Sequence, residues 1–134
     1  ILTEEGLSIE VISSNNDAWS LIEKHEDIAL FTKPPDPGKQ YRMFGLKVQN
    51  LSGDDNHSIR IHHSHFDAVG SSSILFSGSL QKRCWLFPDF LNETLFNGGS
   101  IEGNICFQVP IEETGLVISY YESPNKYWLS TDTD

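Results

Sequence analysis

"YRMFGLKVQN", residues 41–50, decides the fold. Phe44, Leu46 and Val48 alternate with Gly45, Lys47 and Gln49, so an extended chain here has one apolar face and one polar face. A period of two marks a half-buried strand. The pattern recurs on both sides. "LSIEVIS" (7–13) alternates Leu7, Ile9 and Val11, and "SIRI" (58–61) puts Ile59 and Ile61 on one face. "IEGNICFQVP" (101–110) alternates Ile105, Phe107 and Val109, and "GLVISYY" (115–121) alternates Leu116, Ile118 and Tyr120. "SILFS" (73–77) and "KRCWLF" (82–87) are shorter apolar runs.

The gaps carry turn chemistry. "KPPDPGK" (33–39) is a stiff loop, "LSGDDN" (51–56) and "NGGS" (97–100) are turns, and Pro110 ends a strand because it cannot donate to a ladder. Helical character is confined to "DAWSLIEKHED" (17–27) and "PDFLNETLF" (88–96). For the first, the following "IALF" (28–31) favours a strand or a short helical turn. The tail "STDTD" reads as a frayed end. The expectation is all-β: an immunoglobulin-like, two-sheet antiparallel β-sandwich of seven to nine strands, forming a single domain over residues 1–134.

Composition narrows the function classes. Hydrophobic residues make up 38% and charged residues 21%, a globular balance. The net charge is −10, and the nearest approach to a basic cluster is Lys82-Arg83. Phosphate neutralisation is the first requirement of nucleic-acid binding, so no nucleic-acid partner is expected. No apolar run approaches a membrane span. The chain opens at Ile1, and its only methionine is Met43. A removed upstream segment is expected, and a cleaved signal or lipid-anchoring leader would fit. In an exported protein two cysteines, Cys84 and Cys106, suggest a disulfide; two free thiols are the alternative.

Two blocks, "GKQYRMFGLKVQNLSG" (38–53) and "LFNGGSIEGNICFQVPIEETGLVISYY" (95–121), resemble a family of secreted, immunoglobulin-like domains of unknown function from bacteria and archaea. Gly38, Phe44, Leu46, Val48 and Asn50 sit at the positions of the first block. Phe66, Asp67 and Gly70 approximate a middle motif, and Gly99, Gly103, Phe107, Val109 and Pro110 match the last. The departures are a short "FDAVG" and the extra histidines. The resemblance implies a fold and no chemistry. Members often carry the label telomeric repeat-binding factor, which this acidic chain does not fit, since it lacks a basic surface and a recognition helix.

"IHHSHFD" (61–67) is the densest group of chemically active side chains. His63 and His65 are two apart, so on a regular strand they share a face, and with His62, His57 or Asp67 they could hold Zn or Cu. Parity argues otherwise. Ile59 and Ile61 are odd-numbered and Phe66 and Ala68 even-numbered, so the strand must shift phase between 62 and 65. The favoured expectation is a kink with solvated or packing histidines. Ser64, His65 and Asp67 do not make a triad, because neighbours on a strand diverge.

Trp19, Trp85 and Trp128 are expected in the core or at its ends, the alternative being a sugar or peptide platform. "SGDDN" (52–56) reads as a turn rather than a calcium loop. Asn50, Asn56 and Asn92 begin N-x-S/T sequons. Together these point to an extracellular or cell-surface, non-enzymatic binding module. A protein or cell-envelope partner is expected at loops 33–39, 51–57 or 88–99. The alternative is a metal protein using His57, His62, His63 and His65.

Overall fold

The computed structural model describes residues 1–24, 33–77, 84 and 91–131. Nine strands lie among them: β1 (Leu7–Asn15), β2 (Lys39–Asn50), β3 (Ile59–His62), β4 (Phe66–Val69), β5 (Leu75–Ser77), β6 (Asn92–Leu95), β7 (Ser100–Pro110), β8 (Val117–Glu122) and β9 (Asn125–Ser130). The pairings are antiparallel and fall into three groups, ordered β1-β2-β7, β3-β6 and β5-β4-β8-β9. This is an all-β sandwich.

The alternating residues build its core. Leu7 and Ile9 of β1, Phe44, Leu46 and Val48 of β2, and Ile105, Phe107 and Val109 of β7 face Phe66, Ala68, Ile118, Tyr120 and Leu129. Ile59, Ile61 and Leu95 of the β3-β6 pair join the same cluster. Fully burying one such side chain contributes about 1.5–3 kcal/mol, which is what fixes each strand's facing.

β2 departs from simple alternation. Tyr41 through Leu46 are all buried, because the outer face of β2 is covered as well. Tyr41, Met43 and Cys106 form a second cluster with Ala18, Ile22 and Cys84. The single turn α1 (Trp19–Ile22) supplies Trp19 and Ile22 to it. The 33–38 loop is clamped there too: Gln108 Oε1 accepts from Asp36 N at 2.8 Å, and the Tyr41 hydroxyl donates to the Lys33 carbonyl.

Two helical expectations resolve differently. Residues 19–22 form one turn, whereas "PDFLNETLF" is not helical over Asn92–Leu95. There β6 pairs with β3, setting Leu95 opposite Ile59, so cross-strand burial overrides the helical spacing. The strand expected over 82–87 and the "IALF" segment lie outside the described residues, apart from Cys84.

Candidate functional site

The histidine stretch is the corner where the chain leaves one sheet for another. β3 pairs with β6, β4 pairs with β5 and β8, and His63–His65 form a 3-10 turn between them. The phase shift required by parity is this turn. His62 Nδ1 accepts from Ser64 N at 3.1 Å and lies 2.6 Å from Ser64 Oγ. Accepting an N–H requires a lone pair on Nδ1, so His62 carries its proton on Nε2.

His63 is buried, and its main-chain N–H donates to the Leu91 carbonyl at 3.0 Å. Burial, helped by His62 and His65, pushes the His63 imidazole down to about 4. His65 and His62 are also lowered, mainly by burial. The three rings are therefore neutral at pH 7. The His62 ring lies 4.1 Å from that of His63 and 6.0 Å from that of His65, and His65 lies 6.3 Å from Tyr120. His57 is not with them. It precedes β3 while His62 ends it, and the strand alone separates them by about 10 Å. Among the described residues, no three His, Cys, Asp or Glu side chains are grouped to hold a metal ion.

A different constellation occupies one end of the sandwich. Gln40 and Arg42 share parity with Phe44, so they continue the inward face of β2 beyond the apolar core. There they line a cavity of about 480 Å³, with Phe44 and Leu116 as apolar lining and Ser14, Asn16, Glu113 and Thr114 as polar wall. Its size falls in the range of small-ligand sites. Arg42 is 7% exposed and Glu113 4%. Arg42 Nη2 donates to the carbonyls of Pro110 at 3.3 Å and Ile111 at 3.1 Å, while Nε is buried without a hydrogen bond.

Glu113 Oε1 accepts from both Ser72 N and Ser72 Oγ at 2.8 Å. Gly70 makes room for this carboxylate: a Cβ there would stand 2.6 Å from Glu113 Oε1. Ser71 and Thr114 zip the two loops together, Ser71 N donating to Thr114 O at 2.9 Å and Thr114 N to Ser71 Oγ at 3.1 Å. Burial lowers the Arg42 guanidinium from its ordinary value, and the charge of Glu113 opposes that shift. The two charges thus feel each other, yet no hydrogen bond joins them. The sequence signal available for this site was a cation at an inward parity position.

The other singled-out residues are structural or exposed. Cys84 and Cys106 form a disulfide with Cα atoms 5.8 Å apart. Trp19 packs edge-on against Tyr41 at 6.2 Å. Trp128 stands half-exposed on β9 with Lys126 Nζ 5.6 Å from its ring, and Trp85 lies outside the described residues. Residues 52–56 spend their side chains on turns, Asp54 N donating to Ser52 Oγ and Asn56 N to Asp54 Oδ1. Asn50 is fully buried, so only the sequons at Asn56 and Asn92 are exposed.

No protein-family signature and no curated protein matches the chain. Solved structures share the fold. The candidate lipoprotein ycdA of Bacillus subtilis aligns over 93% of this chain with a TM-score of 0.57 and 13% identity. The chain spans 36% of that protein's length. The secreted protein MPT63 of Mycobacterium tuberculosis aligns over 93% of this chain and 81% of its own, with a TM-score of 0.56 and 15% identity. Among the described residues, no helix is long and apolar enough to cross a membrane.

Proposed function

We propose that the protein is an exported or cell-surface, non-enzymatic binding module that holds a small polar ligand in the end cavity. The observation that carries this reading is the pair of buried, opposite charges, Arg42 and Glu113, lining one 480 Å³ space without touching. Buried charges without full partners are costly, and recognition sites tolerate that cost because a ligand completes them. Among the described residues no histidine lines the cavity, so no hydroxyl there has an imidazole beside it. The exterior location is supported by the secreted and lipoprotein descriptions of the two structural neighbours. The disulfide fits an oxidising compartment. The net charge of −10 argues against nucleic acid. The alternative metal role for His57, His62, His63 and His65 is favoured less, because no three such side chains group together among the described residues.

The test is two-dimensional NMR of the protein incubated with three ligand sets: amino acids and dipeptides, mono- and oligosaccharides, and phosphates. The reading expects saturable shifts confined to cavity residues, with the ligand unchanged. No cavity shift with any set, or steady conversion of a ligand, would contradict it.

A further inference from the structure

We infer that the end cavity is a zwitterion site, in which Arg42 receives a carboxylate and Glu113 an ammonium group of a free amino acid or short peptide. The inference rests on the binding-module reading above. Both charged groups keep unused bonding capacity. A guanidinium has five donors, and Arg42 commits one nitrogen, Nη2, to the Pro110 and Ile111 carbonyls; Nε has no partner but is closed off from solvent, so Nη1 is the nitrogen left for a ligand. Glu113 concentrates its hydrogen bonds on Oε1, both from Ser72. A carboxylate has about four acceptor sites, so its second oxygen can accept from an ammonium.

Charge then selects the ligand class. An anion in this space would pair with Arg42 but stand against Glu113; a cation would do the reverse. A zwitterion pairs both while adding no net charge beside two largely buried groups. A neutral sugar could hydrogen-bond to either group but would leave both charges uncompensated. The surrounding walls suit the remainder of such a ligand. Ser14, Asn16, Gln40 and Thr114 offer hydroxyls and amides, and Phe44 and Leu116 offer an apolar surface for a small side chain.

The site is also set in advance. Gly70, Ser71 and Ser72 hold Glu113, and the ladder of β2 holds Arg42 opposite Phe107 of β7. Groups fixed before binding lose little freedom on binding, which favours affinity for a ligand with few contacts.

Calorimetric titration with L-alanine and L-alanyl-L-alanine tests this, with N-acetyl-L-alanine and L-alaninamide as probes lacking one charge each. The two zwitterions separate the free amino acid from the short peptide as the source. Saturable binding of at least one is expected, weakened roughly tenfold or more when either end is blocked. Glu113→Gln should weaken the zwitterion by a similar factor and strengthen N-acetyl-L-alanine, whose carboxylate no longer faces a like charge. Arg42→Lys also removes the bonds that cap the Pro110–Ile111 loop, so the blocked ligands on the unaltered protein carry the decision. Equal binding of blocked and unblocked ligands, or cavity shifts with saccharides or phosphates alone, would overturn the zwitterion assignment and leave the binding-module reading standing. No cavity binding by any set would overturn both.

Discussion

Asn50 donates from Nδ2 to the carbonyl of Leu95 at 2.9 Å, fully buried at the point where β2 ends. The same nitrogen reaches the His57 carbonyl at 3.1 Å, and Oδ1 accepts from Ser52 N at 3.0 Å. One amide side chain therefore joins the end of β2, the entry to β3 and the exit of β6. Its main chain adds two bonds, to Gly99 O and from Gly98 N.

Replacing Asn50 by Ala leaves the buried Leu95 carbonyl and the part-buried His57 carbonyl without that donor. Leaving a buried polar group unpaired costs about 1–3 kcal/mol each, so Asn50→Ala should destabilise by about 2–4 kcal/mol. Urea denaturation measures this, and a loss under 1 kcal/mol would contradict the tie. The burial of Asn50 also means that a glycosylating host should modify only Asn56 and Asn92, as mass spectrometry of the folded protein can show.

The disulfide closes a chain segment with a sequence separation of 22 and sits in the outer cluster beside Met43 and Tyr41. On the chain-entropy account, the double replacement Cys84→Ser and Cys106→Ser should lower stability by about 3 kcal/mol. Melting of the unaltered protein with and without reductant gives the same comparison. Equal melting temperatures would contradict it.

His63 gives a pH signature. Its imidazole falls from an ordinary 6.5 to about 4 on folding. The unfolded chain therefore binds more protons between those values, so stability is complete above pH 6.5 and declines as pH falls toward 4. Between pH 7 and 5 the loss from this residue is about 2 kcal/mol. His62 and His65 shift in the same direction and add to it. Denaturation at pH 7, 6 and 5 reads the effect, and His63→Phe should flatten it. A protein equally stable at pH 5 and 7 would contradict the burial of the imidazole.

Gly70 and Glu113 should be coupled. A Cβ at position 70 would meet Glu113 Cγ at 2.8 Å and the Thr114 carbonyl at 3.0 Å. Gly70→Ala is expected to cost about 1–3 kcal/mol, partly relieved by Glu113→Ala in the same chain. Strict additivity of the two changes would show that the glycine serves some other purpose.

Much of the fold was legible because one physical rule wrote it. Phe44, Leu46 and Val48 alternate, and burial of one face fixed β2 and its partners β1 and β7. The corner at 63–65 was legible as a conflict of parity between Ile61 and Phe66. Residues 92–95 misled because an apolar run with helical spacing can also be a strand, and only pairing with Ile59–His62 decides. The covering of the outer face was hidden for a related reason. Tyr41 and Met43 are apolar at positions that a one-sided strand would give to polar residues, but what buries them comes from α1 and Cys84, distant in sequence. The cavity was missed because Arg42 and Glu113 are 71 positions apart in sequence. Only the closing of the β7–β8 loop onto β2 brings them to one space.

The most direct measurement is the arginine Nε–H NMR spectrum of the isotope-labelled protein with increasing L-alanyl-L-alanine and L-alanine. The chain has three arginines, Arg42, Arg60 and Arg83, so the resonances can be assigned by substitution. A saturable shift of the Arg42 signal with either zwitterion, and none with L-alaninamide, is the result predicted. An Arg42 signal that stays in place as both zwitterions, each in turn, rise to high concentration would contradict the account of the cavity.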